Sequence, residues 1–184
     1  MLDFPTAGRW KAWVAKQPPT SVGVWLKIAK KGSGVASVTY AEALDVALCF
    51  GWIDGQKRKL DDDFWLQRFV PRGPRSQWSQ RNCDRALELV DEGTMHPLGQ
   101  AEIDRARADG RWDAAYPSQS KAEVPEDLQA ALARDPTAAK FFAGLDRVNR
   151  YAILYRIHSS KKPETRARNI DKFVTMLHEG RTIH

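Results

Sequence analysis

The sequence predicts an α+β protein: a small antiparallel sheet packed with helices, followed by an all-helical C-terminal part. Two segments with strand character, residues 52–60 and 64–70, are separated only by the acidic run Asp61–Asp63, a spacing typical of an antiparallel hairpin. Residues 163–179 carry apolar side chains at helical spacing and lie between a proline and a glycine. The sheet is therefore expected in the first part of the chain, and the last part is expected to be helical.

Three further elements are predicted before the hairpin. Residues 8–16 form a short helix that stops before Pro18 and Pro19. Residues 22–28 alternate weakly between apolar and polar side chains, which indicates a strand. The lysines and glycines of residues 30–34 indicate a loop.

A capping box marks the start of the next helix. The Thr39 hydroxyl and the Glu42 carboxylate can each accept a hydrogen bond from a free backbone N–H group at a helix start. Gly51 then ends the helix, because glycine readily adopts the left-handed conformation that follows a helix C-terminus. The apolar face of this helix consists of Ala41, Leu44, Ala47 and Leu48.

Two more helices are predicted between the hairpin and residue 110. Ser79 caps the first, which ends at Gly93, and Pro97 begins the second, which runs to about Asp109. The apolar face of the first consists of Cys83, Ala86, Leu87 and Val90.

A polar, proline-containing linker at residues 116–124 divides the chain. It separates a predicted N-terminal domain, residues 1–115, from a predicted helical domain, residues 125–184. Helix starts in the second domain are expected at Pro125, Asp135–Pro136, Asp146 and Pro163. The last helix is the clearest, with an apolar stripe of Ala167, Ile170, Val174 and Leu177 and a stop at Gly180.

The composition favours a protein with a packed core and a basic surface. Of the 184 residues, 42% are hydrophobic, yet no apolar run approaches the roughly 18–20 residues of a membrane span. The N-terminus does not resemble an export signal, so we expect a cytoplasmic protein in which Cys49 and Cys83 are reduced. The net charge of +6 favours anionic partners, although many proteins carry a similar excess without one.

The segment from Arg68 to Arg81 is the richest candidate site. Guanidinium groups bind anions through paired donors, a helix start offers free N–H groups, and an indole ring can stack on a base. The predicted ligand-binding residues are Arg68, Arg72, Arg75, Ser76, Trp78, Trp52 and Asp54. The alternative is a structural connection in which Trp78 fills the core and the arginines pair with Asp54 or with Asp61–Asp63.

No residue is predicted to be catalytic. Cys49 lies at a helix C-terminus, where the helix dipole disfavours a thiolate, so we expect a buried and inert thiol. Asp54 is either a candidate general base or a hydrogen-bond anchor in its turn. His158 and His178 have no metal-binding partner at helical spacing, so neither a metal nor a cofactor is expected.

Basic side chains recur through residues 147–172, with Tyr151 and Tyr155 among them. Such a surface is typical of nucleic-acid binding and also of the solvated face of a helical pair. The second interpretation is favoured, because Glu164 and Asp171 lie nearby for pairing. The basic residues are Arg147, Arg150, Arg156, Lys161, Lys162, Arg166, Arg168 and Lys172.

Two blocks of the chain resemble the bacterial YdeI/OmpD-associated family, whose C-terminal part is described as a bacteriocin-protection domain. The first block consists of residues 39–45, 48–55, 69–72 and 75–79. The second consists of residues 124–128 and 157–168, in which Ser160 stands where the family usually has alanine. The resemblance implies a role in tolerance of bacteriocins or antimicrobial peptides, but it implies no enzymatic activity and no catalytic residues.

These features are compatible with three functions. The first is a non-enzymatic stress or bacteriocin-tolerance protein that binds an anionic small molecule or a protein partner at the segment from Arg68 to Trp78. The second is an enzyme that acts on a small anionic substrate, with Asp54 as the base. The third is nucleic-acid binding through the basic C-terminal helices.

Overall fold

The computed structural model describes all residues from Met1 to His184. The chain divides into two compact units, Met1–Ala115 and Tyr116–His184. The first unit contains a four-stranded sheet and four helices, and the second contains four helices. The fold is therefore α+β with a helical C-terminal part, as predicted.

The sheet of the first unit consists, in spatial order, of β1 (Leu2–Asp3), β2 (Val24–Ala29), β4 (Phe64–Pro71) and β3 (Trp52–Lys59). Its two long strands, β3 and β4, form the predicted antiparallel hairpin, and β2 pairs antiparallel with β4. The sequence does not predict β1, which pairs parallel with β2, because a two-residue strand shows no alternation. The elements are β1 (Leu2–Asp3), α1 (Ala7–Val14), β2 (Val24–Ala29), α2 (Tyr40–Cys49), β3 (Trp52–Lys59), β4 (Phe64–Pro71), α3 (Gln80–Asp91) and α4 (Pro97–Ala108).

Two side chains shape the hairpin. The Asp61 carboxylate accepts hydrogen bonds from the backbone N–H groups of Asp63 and Phe64 at 3.0 and 2.7 Å, which closes the turn. The register of β3 shifts between Asp54 and Lys57, and the buried Gln67 amide donates to the Gly55 carbonyl at 2.9 Å there. Gln67 therefore satisfies a carbonyl group of a strand bulge that would otherwise lack its ladder partner.

The core of the first unit joins one face of the sheet to the helices. Trp10 on α1 is fully buried, and its indole Nε1 donates to the carbonyl of Ala43 on α2 at 3.1 Å. Its ring centre lies 5.5 Å from that of Phe69 on β4. One tryptophan thus connects two helices and the sheet, and aromatic side chains of this size contribute strongly to core energetics.

The start and end of α2 confirm the predicted signals. The Thr39 N–H donates to the Glu42 carboxylate at 2.8 Å, and the Glu42 N–H donates to the Thr39 hydroxyl at 3.3 Å. Gly51 has φ +73°, the left-handed conformation expected after the helix. The predicted apolar face of α2 is partly wrong, because Ala41 is exposed and Ala43 is buried instead.

Two further predicted helix faces are partly wrong. On α3, Leu87 and Val90 are 39% and 37% exposed, whereas Leu89 is buried. On the last helix of the chain, α8 (Pro163–His178), Ala167 is exposed, and Phe173 is buried instead. Both errors arise because neighbouring apolar residues compete for one helical face, and only tertiary packing decides which of them faces the core.

The second unit consists of α5 (Glu126–Ala133), α6 (Pro136–Ala143), α7 (Arg147–His158) and α8 (Pro163–His178). Aspartates cap α6 and α7 as predicted: Asp135 accepts from the Ala138 N–H at 3.0 Å, and Asp146 accepts from the Asn149 N–H at 2.7 Å. The side chains buried at its centre are Leu128, Leu132, Ala138, Phe142, Ile153, Leu154, Ile157, Ile170, Phe173 and Leu177. None of the helices in the chain combines the length and apolarity that crossing a membrane requires.

An ion pair links α5 to α8. The guanidinium of Arg166 donates through Nε and Nη2 to the Asp127 carboxylate at 2.5 and 2.9 Å, and its Nη1 donates to the Ile157 carbonyl at 2.9 Å. These bonds hold the pKa of Asp127 below its ordinary value of 3.8. Arg166 therefore joins α5, α7 and α8 at one point.

The pair makes the stability of the second unit pH-dependent. Because the folded state lowers the pKa of Asp127, the stabilisation is present above the unfolded pKa and is lost as the pH falls through the folded pKa. We expect Asp127→Asn to be less stable than the native chain near neutral pH, and the difference to shrink below about pH 4. Urea unfolding followed by far-UV circular dichroism at several pH values measures this difference. A difference that does not change with pH would contradict the assignment.

Candidate functional site

Arg72 and Trp78, two of the residues predicted to bind a ligand, lie in the interior of the first unit. They are 5% and 2% exposed. The Arg72 guanidinium carbon lies 3.5 Å from the centre of the Trp78 ring, and its Nη1 donates to the Gln77 carbonyl at 3.1 Å. The guanidinium is thus stacked on an indole and bonded to the loop that carries that indole.

The stack extends beyond this pair. The Trp78 ring centre lies 4.9 Å from that of Trp112, and the Arg107 guanidinium carbon lies 5.1 Å from the Trp112 ring. Two neighbouring indoles therefore lie between two guanidinium groups, in the order Arg72, Trp78, Trp112, Arg107.

Two arginines distant in sequence hold the loop that precedes α3. Arg111, which is 4% exposed, donates to the Ser76 carbonyl at 2.8 Å and pairs with Asp109. Arg105 donates to the Arg72 carbonyl at 3.4 Å. Sequence reasoning missed both arginines, because no local pattern shows that residues 105 and 111 meet residues 72–76.

A half-buried carboxylate accompanies these arginines. Glu102 on α4 pairs with Arg105, and burial raises the pKa of Glu102 above its ordinary value, although the charges of Arg105, Arg72 and Arg111 act to lower it. The guanidinium groups of Arg72, Arg105 and Arg111 are engaged by the protein's own carbonyl, carboxylate and ring groups.

The other predicted residues point in different directions. Arg68 lies on the opposite face of β4 from the buried Phe69 and donates to the Val22 carbonyl. Trp52 is buried, whereas Arg75 is exposed.

The turn that contains Trp52 and Asp54 meets the segment from Arg68 to Arg81 along the backbone. The N–H group of Arg72 donates to the Gly51 carbonyl at 2.9 Å, directly before Trp52. The Ser76 hydroxyl accepts a hydrogen bond from the Gly73 N–H at 3.0 Å, and the Asp54 carboxylate accepts one from the Tyr40 phenol at 2.7 Å. The structure thus brings Arg72, Ser76 and Trp78 into one cluster, while ligand binding by the predicted set stays a prediction.

Both cysteines are free and buried, as expected for inert thiols. Burial raises the pKa of Cys83 to about 11 and also raises the pKa of Cys49. In the folded chain, no group of three or more His, Cys, Asp or Glu side chains is placed to hold a metal ion.

A basic groove lies in the second unit, between the end of α7 and the first half of α8. It encloses about 1170 Å³, counting the open solvent at its mouth. Four cations line it, and none of the lining residues is Asp or Glu. The residues that line this groove are Tyr155, Arg156, Ser159, Ser160, Lys161, Lys162, Thr165, Asn169, Lys172, Phe173, Met176 and Ile183.

Hydrogen bonds fix the turn that carries the lysines of the basic groove. The Ser160 hydroxyl donates to the Arg156 carbonyl at 2.8 Å and accepts a hydrogen bond from the Asn169 amide at 2.9 Å. The turn between α7 and α8 is therefore tied to both helices. The unit as a whole has twelve Lys and Arg against eight Asp and Glu, a net charge of +4.

A tyrosine pocket of about 370 Å³, counting the open solvent at its mouth, adjoins the basic groove. The ring of Tyr155 lies 4.9 Å from that of Tyr116 and 6.1 Å from that of Tyr151. The Tyr151 phenol donates to the Pro117 carbonyl at 3.0 Å, and burial raises the pKa of Tyr151. The residues that line this pocket are Tyr116, Pro117, Ala122, Glu123, Pro125, Tyr151, Leu154, Tyr155, His158 and Arg166.

Two family models match different parts of the chain. Residues 2–102 match the model of a family described as a domain of unknown function, DUF8412, which covers more than half of the chain. The chain belongs to the DUF8412 family. Residues 121–180 match a second model, described as bacteriocin-protection, YdeI or OmpD-associated. No curated protein and no solved structure matches.

The resemblance to the YdeI/OmpD-associated family is confirmed for the C-terminal part of this DUF8412 member. The first resembling block, residues 39–79, lies instead in the region that the DUF8412 model covers. The four cations of the basic groove all lie within the YdeI/OmpD-associated match. In the sequence these cations belong to the basic run of residues 147–172, for which a solvated face is the favoured interpretation. The groove that encloses them depends on how α7 and α8 pack, which the sequence does not show.

Proposed function

We propose that this DUF8412 member is a non-enzymatic binding protein that holds an anionic ligand or partner in the basic groove of its YdeI/OmpD-associated domain. The observation that carries this proposal is a concave surface with four cations and no lining carboxylate. The description of the matched family supports a role in bacteriocin tolerance. In that role the ligand is an anionic small molecule or an acidic surface of a partner protein.

As a binding site for an anion, the basic groove is favoured over the cluster of Arg72, Arg105 and Arg111 in the first unit, because the charges of its lysines are unpaired. Lys161, Lys162 and Lys172 form no salt bridge in the chain, so their ammonium groups are available to a ligand. By contrast, Arg72 is stacked on Trp78, and Arg111 is bonded to Ser76 and Asp109. An anion in the groove would gain charge-assisted hydrogen bonds without displacing a partner from within the protein.

The start of α8 adds to the positive electrostatic potential of the basic groove. Lys162 provides no side-chain hydrogen bond to the first turn of the helix, and Pro163 occupies the first helical position. The positive end of the helix dipole therefore faces the same turn as Lys161 and Lys162. The helix dipole contributes less to anion binding than the charges of the lysines do.

The double substitution Lys161→Ala/Lys162→Ala tests the proposal. We expect it to weaken the binding of inorganic tripolyphosphate by about tenfold or more, because hydrogen bonds to charged groups contribute about 1.5–3 kcal/mol each. Isothermal titration calorimetry at two salt concentrations measures the affinity, which should fall with salt in the native chain.

A matched control is Arg134→Ala/Arg168→Ala. It removes the same net charge from two exposed residues that do not line the basic groove. We expect this control to bind tripolyphosphate nearly as tightly as the native chain. Equal losses in both double variants would show a general charge effect and would remove the support for the groove.

A further inference from the structure

The basic groove and the tyrosine pocket meet at Tyr155, which lines both. Tyr151 and Tyr155 lie one helical turn apart on α7, so their rings project from the same side of the helix. Arg156, the next residue along α7, faces the basic groove. A ligand that lies across Tyr155 would contact aromatic rings at one end and cations at the other.

The tyrosine pocket has the surface of a site for a flat ring. Three tyrosine rings line it, and aromatic rings bind nucleobases by stacking. The carboxylate of Glu123 on its wall can accept a hydrogen bond from an amino group of a base.

The two ends differ in charge. The one guanidinium in the pocket wall, that of Arg166, is bonded to Asp127, so its charge is already balanced. The unpaired cations Lys161, Lys162 and Lys172 all lie on the groove side of Tyr155. The phosphate-binding end and the ring-binding end are therefore distinct.

We infer that the anionic ligand is a nucleotide, whose base lies in the tyrosine pocket and whose phosphates lie in the basic groove. This inference rests on the proposed function, because the phosphates occupy the groove already assigned to an anion. A free nucleoside phosphate and a nucleotide within a single strand share this chemistry.

The first experiment compares ligands on the native chain. ATP and tripolyphosphate each carry three phosphates, so the difference between them reports the nucleoside. We expect ATP to bind at least about fivefold more tightly, the lower end of what stacking of one base contributes. Equal affinities for both would overturn the nucleotide inference and leave the proposed function intact, whereas binding of neither would overturn both.

An oligodeoxyadenylate of four nucleotides distinguishes the two sources. Tighter binding of ATP identifies a free nucleotide, and tighter binding of the oligonucleotide identifies a strand. Either result supports the nucleotide inference, provided that ATP binds more tightly than tripolyphosphate.

The second experiment uses variants of the tyrosine pocket. We expect Tyr155→Ala to lose the preference for ATP while it keeps the affinity for tripolyphosphate, and Tyr155→Phe to keep the preference, because a phenyl ring also stacks. If Tyr155→Ala fails to fold, Tyr116→Ala replaces it, because Tyr116 lies outside the helices. This variant is also expected to lose the preference for ATP. An unchanged preference for ATP in a folded alanine variant would overturn the inference.

Discussion

Replacing Trp78 by alanine is expected to lower the free energy of unfolding of the first unit by about 3–5 kcal/mol. Trp78 is 2% exposed and contacts the Arg72 guanidinium on one side and the Trp112 ring on the other. Its indole Nε1 has no hydrogen-bond partner in the chain, so the loss comes from packing and stacking. The substitution also leaves the buried Arg72 without the ring that it stacks on.

Tryptophan fluorescence during urea unfolding measures this loss directly. All seven tryptophans lie in the first unit, so six remain to report its unfolding, and the second unit contributes none. Trp78→Phe is the matched control, because it keeps an aromatic ring between Arg72 and Trp112 and should lose much less stability. A Trp78→Ala variant as stable as the native chain would show that the ring is not part of the core.

The Trp78→Ala variant also distinguishes the two candidate binding sites, the predicted set around Trp78 and the basic groove. If the predicted set around Trp78 bound the anion, Trp78→Ala and Arg75→Ala would weaken tripolyphosphate binding. If the basic groove binds it, both variants should keep their affinity under conditions in which they are folded. Arg75 is the cleaner probe, because it is exposed and its loss should hardly change stability.

The substitution Gly99→Ala is expected to destabilise the first unit by about 1–3 kcal/mol, although alanine is the better helix former. A Cβ atom at this position on α4 would lie 2.3 Å from the Cys49 carbonyl oxygen and 2.6 Å from the Leu48 carbonyl oxygen at the end of α2. Both atoms belong to the backbone, so neither can move aside as a side-chain end could. The close approach of the two helices therefore decides the sign of the effect.

Gly8 provides the control for this prediction. It also lies in a helix, α1, but the nearest atom to an added Cβ is 4.0 Å away. Gly8→Ala should be neutral or stabilising by up to about 1 kcal/mol, because only helix propensity and chain entropy change. The denaturation midpoint from tryptophan fluorescence should fall for Gly99→Ala and should stay the same or rise for Gly8→Ala. Stabilisation by Gly99→Ala would show that α2 and α4 do not approach as closely as described.

Local signals in the sequence were sufficient to predict most of the helices and strands. The capping box at Thr39, the aspartate caps at Asp135 and Asp146 and the hairpin turn at Asp61 each depend on residues within four positions of one another. Such signals can be read along the chain because the groups that bond are neighbours in sequence. The helical faces were less secure, as Leu87 and Ala167 show, because a face is chosen by what packs against it.

The amino-acid sequence is sufficient to predict an α+β first part, a helical second part similar to the YdeI/OmpD-associated family, and a basic run along α7 and α8. What the arginines and lysines do depends on the folded structure. Arg111 reaches the Ser76 carbonyl across 35 positions of sequence, which engages it inside the first unit. Lys161 and Lys172 meet around one concave surface because α7 and α8 pack side by side. A charge is available for binding only if the fold has not already paired it, and that pairing depends on contacts between residues far apart in the chain.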